Sequence, residues 1–298
     1  MKKTFLMALA ICCGIAAATP VSYKFSPAGN YPGAPDTNPL AANLTQIVGY
    51  YATDGSSPSY LETFQGGART PFITIVPPGS GTSYASGINA HGVVAGGYCN
   101  PGCTYPQSQH GFTWDQGTFT TIDYPGATSG GAYGINDLGQ IVGGFCPTSN
   151  VCGGTVLNPT AHAFLDDHGT FTQLDYPGAF ETQANAINNA GQIAGVYNSV
   201  PGGLKSFLYQ NGVYTSLQDP NAVWTDATAI NNHGVIAGSY QDGQVRVHGF
   251  LYQNGKFETV DHPDTGATSI NGINDDGVIV GAWSPNGGFA NFKGIPVR

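Results

Sequence analysis

The stretch Gly134-Ile135-Asn136-Asp137-Leu138-Gly139-Gln140-Ile141-Val142-Gly143 decides the fold, because the same pattern returns along the chain. Clear copies lie at residues 87–96, 186–195, 229–238 and 272–281, and a degenerate copy ends at Gly49. Successive copies are 47, 47, 52, 43 and 43 residues apart, measured at Ile47, Val94, Ile141, Ile193, Ile236 and Ile279. A regular period of this length is typical of repeat architectures.

Each unit predicts four short β-strands, here called A to D. Strand A ends in Ile-Asn, the segment Asn-x-x-Gly forms a tight turn, and strand B is the Ile-Val-Gly run. Asn211-Gly212 and Asn254-Gly255 mark the turn from strand C to strand D. A Phe-Thr-Thr-Ile pattern gives strand D, and Pro-Gly closes it. Strand C starts at a His-x-Phe motif, seen at residues 110–112, 162–164, 205–207 and 248–250, with Ser59-Tyr60-Leu61 at the matching place in the first unit.

Four antiparallel strands per repeat predict a six-bladed β-propeller within a single domain, residues 19–298. The last unit has little sequence after Phe292, whereas Tyr23-Lys24-Phe25 followed by Tyr31-Pro32-Gly33 matches the strand D motif. We therefore expect the N-terminal strand to complete the last blade. The alternative is an open β-solenoid of stacked repeats, which would leave an exposed edge at each end.

The composition agrees with strands buried on both faces. Only 9% of the 298 residues are charged, and the chain contains 44 Gly and 20 Pro, whereas helical bundles need Ala, Glu, Lys, Leu and Arg. Repeated strand B glycines are expected to let blades approach each other closely. These glycines are Gly49, Gly96, Gly143, Gly195, Gly238 and Gly281.

The combination of Ile-Asn-x-x-Gly-x-Ile-Val-Gly with His162-Ala163-Phe164 resembles the HAF-repeat family of predicted bacterial extracellular proteins. The resemblance extends over roughly residues 23–292. It implies an exported repeat protein and brings no defined catalytic set.

The N-terminus predicts export. Lys2 and Lys3 precede an apolar run from Phe5 to Ile15, and a small-residue cleavage site follows, so residues 1–18 are interpreted as a secretory signal peptide. An N-terminal anchor and a lipoprotein using Cys12 are the alternatives. We expect a secreted or extracellular protein, with the periplasm or cell surface as other destinations, and no membrane span.

Charge and cysteine content narrow the partners. Without the signal peptide, 7 basic residues face 18 acidic ones, so phosphate backbones would repel the chain and nucleic-acid binding is not expected. The four remaining cysteines predict the disulfides Cys99–Cys103 and Cys146–Cys152 in an oxidising compartment. A zinc site built from the same four thiolates is the alternative, and we expect no metal or other cofactor.

Candidate site residues lie on the face that carries the B–C and D–A loops, because those loops vary most between units. The ligand-binding candidates are aromatic residues of these loops, and they would suit sugar rings or protein partners. They are Tyr124, Tyr176, Trp224, His262 and Trp283. The alternative for the repeated tyrosines is that each caps the core of its own blade.

Three function classes follow. The first is a monomeric, non-catalytic binding module for polysaccharide or an extracellular protein. The second is a hydrolase or lyase acting on extracellular glycans, with Glu181 and Asp226 as the catalytic carboxylates. The third is a self-associating structural surface protein. Sequence motifs of serine hydrolases, metalloproteases and phosphate-binding loops are missing, so binding is favoured over catalysis.

Overall fold

The computed structural model describes residues 21–65, 68–101, 109–147, 161–199, 203–264, 266–284 and 290–297. The described residues form β-strands connected by turns and loops, which confirms the all-β prediction. In this part of the chain there is no helix of the length and apolar character needed to cross a membrane.

The strands form six antiparallel sheets, each one blade with its innermost strand named first. Blade 1 contains β2 (Thr37–Ala42), β3 (Gln46–Tyr51), β4 (Ser59–Gln65) and β6 (Ile73–Ile75), with the short β5 (Ala68–Arg69) beside β4. Blade 2 contains β7 (Thr82–Ile88), β8 (Val94–Cys99), β9 (Gln109–Asp115) and β10 (Thr118–Ile122). Blade 3 contains β11 (Ser129–Ile135), β12 (Ile141–Cys146), β13 (His162–Asp167) and β14 (Thr170–Leu174).

The second half of the ring repeats this order. Blade 4 contains β15 (Glu181–Ile187), β16 (Ile193–Asn198), β17 (Leu204–Gln210) and β18 (Val213–Leu217). Blade 5 contains β19 (Ala222–Ile230), β20 (Ile236–Asp242), β21 (Val247–Gln253) and β22 (Lys256–Thr259). Blade 6 contains β23 (Ala267–Ile273), β24 (Ile279–Ser284), β25 (Ala290–Val297) and the N-terminal strand β1 (Ser22–Ser26).

The N-terminal strand closes the ring, as predicted. Strand β1 pairs with β25 from Ser22 opposite Val297 to Ser26 opposite Lys293, and β24 of blade 6 contacts β2 of blade 1. The six-bladed propeller is therefore confirmed, and the open solenoid is wrong because the first and last blades meet.

The tight turns have the conformations that the sequence indicated. In blade 3, Gly139 adopts a φ of 80° and its N–H donates to the carbonyl of Asn136 at 3.1 Å. At the C–D turn of blade 4, Asn211 and Gly212 have φ values of 51° and 81°, as a two-residue hairpin with the twist of its strands requires.

The hydrophobic core lies between blades. One cluster joins Val142 and Ala163 of blade 3 to Ile193 and Phe207 of blade 4. Strands β12 and β16 are buried along their whole length, which explains the scarcity of charge. The largest fully buried side chains include one strand C aromatic from each blade, namely Tyr60, Phe112, Phe164, Phe207, Phe250 and Phe292.

Contacts within their own blade require the strand B glycines. The sequence-based explanation, a close approach between neighbouring blades, is therefore wrong. Each innermost strand has a register shift at the same place, for example between Ala227 and Ala229 in blade 5. A Cβ on Gly238 would meet the carbonyl oxygen of Asp226 on the adjacent strand and would lie 2.9 Å from the Phe250 ring. The bulge and the aromatic ring together leave room for glycine alone.

Blade 1 is also shifted by one residue from the sequence-based alignment. Tyr60 lies opposite Gly49, as Phe250 lies opposite Gly238, so Tyr60 occupies the phenylalanine position. The aligned triplet is Pro58-Ser59-Tyr60, because only this register buries the tyrosine ring in the core.

Six buried turn asparagines form a closed ring of hydrogen bonds around the axis. Each side-chain Nδ2 donates to the backbone carbonyl of the matching asparagine in the next blade, at 2.9–3.1 Å. In blade 5, the Oδ1 of Asn231 also accepts the backbone N–H groups of His233 and Val235. The six members are Asn43, Asn89, Asn136, Asn188, Asn231 and Asn274.

Candidate functional site

The two candidate tyrosines lie in D–A turns and pack against the next blade. Tyr124 stacks on Phe145 with ring centroids 3.7 Å apart and planes 4° apart, and Tyr176 stacks on Tyr197 at 3.6 Å and 6°. Each ring is partly buried. The contact fixes each tyrosine at a junction between blades, where it packs on the neighbouring blade as well as its own.

His262 occupies the tyrosine position at the junction of blades 5 and 6. It stacks on Trp283 with ring centroids 4.0 Å apart and planes 11° apart. The imidazole is buried, and this burial lowers the pKa of His262, although the nearby Asp264 carboxylate opposes the shift. A neutral ring stacked on an indole is the arrangement that results at neutral pH.

The other tryptophan candidate, Trp224, lies apart from this pair. Trp224 lies on β19 opposite Gln241 and is partly buried. No ring contact joins it to the other four candidates in the described part of the chain. The structure therefore brings only His262 and Trp283 together.

The two candidate carboxylates occupy different levels of their blades. Glu181 begins β15 opposite Asn198, whose amide donates to it at 2.8 Å. When blades 4 and 5 are aligned at Gly195 and Gly238, the counterpart of Glu181 is Trp224. Asp226 lies two residues further along its strand than this counterpart. No hydrogen bond joins the two carboxylates in the described residues.

Burial acts on both acids in the same direction. Desolvation raises the pKa of Glu181, and the hydrogen bond from Asn198 partly offsets this. Desolvation also raises the pKa of Asp226 to about 6, and the Asp226 carboxylate has no hydrogen-bond partner among the described residues to oppose it. Asp226 therefore holds a proton at mildly acidic pH, but the two acids lie at different levels of their blades and do not form a facing pair.

The channel along the ring axis is narrow. The space beside the asparagine ring has a volume of about 100 Å³, and the space at the level of the strand bulges has about 70 Å³. Such volumes hold a few water molecules and no sugar ring.

A larger cavity, of about 220 Å³, opens where blade 6 meets the segment that leads into blade 1. Trp283 supplies an aromatic wall. The other lining residues come from the end of the closing segment and from β25. They are Pro27, Asn30, Pro35, Asp36, Thr37, Asn38, Ala290 and Asn291.

A departure from the repeat creates this opening. In blades 2 and 5, the first residue of the His-x-Phe motif lies against the strand B aromatic ring: His110 is 5.2 Å from Tyr98 and His248 is 5.1 Å from Tyr240. In blade 6 the residue opposite Trp283 is Ala290. The methyl group leaves empty the space that an imidazole fills elsewhere.

Asn291 holds the opposite wall in place. Its Nδ2 donates to the carbonyls of Gly29 and Thr37, both at 3.1 Å, and to Asn30 Oδ1 at 2.7 Å. Its Oδ1 accepts the N–H of Ala28 at 3.0 Å. This single buried amide therefore organises the inserted loop that precedes β2.

Several polar groups of the cavity have no partner in the described part of the chain. The side chains of Asp36 and Asn38 make no hydrogen bond or ion pair there. The indole N–H of Trp283 is buried and also lacks an acceptor. An unsatisfied buried donor is unusual in a native protein, which makes this cavity a candidate for binding a polar group.

Sequence reasoning identified Trp283 and His262 and missed the rest of this cavity. Asp36, Asn38 and Asn291 fall outside the repeated motifs, and they meet only because the ring closes. Ala290 in the His position was the one available signal.

The structure bears in part on the predicted disulfides and on metal binding. Cys99 and Cys146 end β8 and β12 and are buried, but Cys103 and Cys152 lie outside the described residues, so both disulfides stay predictions. Among the residues described, no three His, Cys, Asp or Glu side chains converge to hold a metal ion.

The chain matches no protein-family model and no curated protein sequence. Among solved structures, TolB from Acinetobacter baumannii is similar with a TM-score of 0.54 and 10% identity, over 85% of this chain. The chain spans 64% of the TolB chain. At this identity the likeness shows the propeller fold alone.

Two further solved structures are similar at lower scores. The six-bladed propeller lectin of Aleuria aurantia has a TM-score of 0.49 and 12% identity, over 85% of this chain and 88% of the lectin. AofleA from Arthrobotrys oligospora has a TM-score of 0.48 and 14% identity, over 90% and 84%. Likeness at these scores says nothing about the ligand of this chain.

Proposed function

We propose that this chain is an exported, non-catalytic module of the HAF-repeat type that binds polysaccharide through the cavity between blade 6 and blade 1. The observation that carries this proposal is the Ala290 opening beside Trp283, lined by the unpartnered side chains of Asp36 and Asn38.

The chemistry of the cavity suits a sugar ring. An aromatic wall packs on the apolar face of a pyranose, while carboxylate and amide groups exchange hydrogen bonds with its hydroxyls. The volume of about 220 Å³ is below the roughly 300–1,000 Å³ of sites for drug-sized ligands. One sugar unit of a longer chain is therefore the expected occupant.

A glycan array followed by calorimetry on the best ligand tests the proposal. Asn38→Ala removes a lining side chain that has no structural hydrogen bond, and we expect a five- to tenfold loss of affinity, about 1–1.4 kcal/mol. Trp283→Ala should lower the affinity further, but it also removes the stack on His262.

Trp224→Ala is the matched control, because Trp224 is an aromatic residue outside the cavity. Binding that survives Asn38→Ala and Trp283→Ala but is lost in Trp224→Ala would place the ligand elsewhere and refute the proposed site. No glycan above background would count against polysaccharide binding altogether.

A glycan-active enzyme is the second candidate: burial raises the pKa of Glu181 and of Asp226, but the two acids lie at different levels and do not face each other, so this candidate ranks below binding. If a glycan is cleaved, the Glu181→Gln and Asp226→Asn double variant should abolish cleavage. Unchanged cleavage in the double variant would remove these two acids from consideration.

A further inference from the structure

The described residues of the proposed sugar site carry negative charge and no positive charge. Among the described residues that line the cavity, Asp36 is the only ionisable one, and none of them is Lys, Arg or His. The Asp36 side chain is exposed to solvent and takes part in none of the ion pairs between described residues. Its carboxylate is therefore uncompensated within the site.

Two basic side chains of blades 5 and 6 have partners outside the cavity. The Lys293 ammonium of β25 lies 4.5 Å from the centre of the Phe64 ring, and Arg246 of blade 5 binds Asp242 at 2.6 Å. The whole chain carries a formal charge of −9, so the long-range field also favours cations over anions.

We propose that the cavity prefers a sugar that carries a free amine, such as a glucosamine unit of a polymer, over its N-acetylated form, and that it rejects uronic acids. This inference rests on the proposed sugar-binding function. The ammonium group of such a unit would donate to the Asp36 carboxylate and to the Asn38 Oδ1, while the ring packs on Trp283.

The expected size of the preference follows from the exposure of Asp36. An ion pair in contact with water contributes up to about 1 kcal/mol, which corresponds to a roughly fivefold difference in affinity. Salt screens such a pair, so the preference should shrink between 50 mM and 500 mM NaCl, whereas stacking on Trp283 should persist.

Calorimetry with the full chain and three hexasaccharides tests this inference. The probes are hexamers of glucosamine, of N-acetylglucosamine and of galacturonate, at pH 6 and low salt. We expect roughly fivefold tighter binding of the amine hexamer than of the acetylated one and no binding of galacturonate. Asp36→Asn should abolish the difference between the amine hexamer and the acetylated hexamer.

Asp54→Asn is the matched control. Asp54 is an exposed carboxylate in the loop between β3 and β4 of the same blade and does not line the cavity, so this variant changes the net charge equally and should keep the preference.

The outcomes separate the two proposals. If galacturonate or the acetylated hexamer binds as tightly as the amine hexamer, or if Asp36→Asn keeps the preference, this inference is overturned while sugar binding stands. If none of the three binds, and the glycan array is also blank, the proposed function fails and this inference with it.

Discussion

At the scale of single residues, Asp226 shows how burial without a partner changes an acid. Its carboxyl group lies on an innermost strand opposite Ser239, and the structure provides no donor for it among the described residues. Burial without a partner favours the neutral acid, which is why the pKa of Asp226 rises from 3.8 to about 6.

We predict that Asp226→Asn stabilises the protein at neutral pH. Between pH 3.8 and about 6 the folded state binds the proton more tightly than the unfolded state, so the free energy of unfolding falls as pH rises. Above pH 6 the Asp226 carboxylate is ionised in both states, so the full free-energy cost of burying its charge is present. The variant should therefore exceed the parent by about 2–3 kcal/mol at pH 7.5 and by almost nothing at pH 4.

Urea unfolding at several pH values between 4 and 7.5 measures this difference. Asp276→Asn, in an exposed turn, is the control and should change stability by less than about 0.5 kcal/mol at every pH. A gain from Asp226→Asn that does not depend on pH would contradict the argument.

The sequence predicted part of the site at this scale. Trp283 stood out because aromatic residues in variable loops suit ligands, and the structure places it in the wall of the cavity. Asp36 and Asn38 carried no signal, since their role depends on an Asn291 amide more than 250 residues away. Contacts across the ring closure are not visible in a local pattern.

At the scale of strands, the bulge of strand A, the glycine of strand B and the aromatic of strand C form one structural unit. The strand assignments and the hairpin turns followed from the sequence. The bulge did not, because the skipped residues are as different as Leu40, Tyr133 and Thr228. A backbone irregularity without a fixed residue type leaves no motif to detect.

We predict that Gly238→Ala costs about 3 kcal/mol of stability or more, since its methyl group would meet the Asp226 carbonyl and the Phe250 ring. Gly243→Ala is the matched control, because a Cβ there meets nothing within 4 Å. Urea unfolding compares the two. If Gly238→Ala does not fold, resistance to protease and soluble yield relative to Gly243→Ala give the same comparison. Equal stability of the two variants would show that the bulge, the glycine and the aromatic ring do not form one structural unit.

At the scale of the whole molecule, the asparagine ring joins all six blades. Local spacing identified all of these residues except Asn43 as turn formers, and that role is confirmed by the backbone N–H groups bound to their Oδ1 atoms. The second role, donation to the next blade, links residues 43–52 positions apart, or 231 across the closure. Only the closed ring makes these partners neighbours.

We predict that Asn231→Ala lowers the free energy of unfolding by about 2–4 kcal/mol. The change leaves the Asn274 carbonyl and two turn N–H groups without their partner. His233→Ala, two residues away and exposed, should change stability by less than about 0.5 kcal/mol. Guanidinium unfolding measures both. A loss in Asn231→Ala no larger than in His233→Ala would mean that the ring contributes little.

The pairing of β1 with β25 also sets the order of events during synthesis. Ser22 leaves the ribosome first among the paired residues, and its partner Val297 is made about 275 residues later. At roughly 5–20 residues per second, that delay is about 15–55 s. During this interval the first strand has no partner and the last blade has no outer edge. A nascent chain of this protein is thus an unfinished ring until its final strand appears.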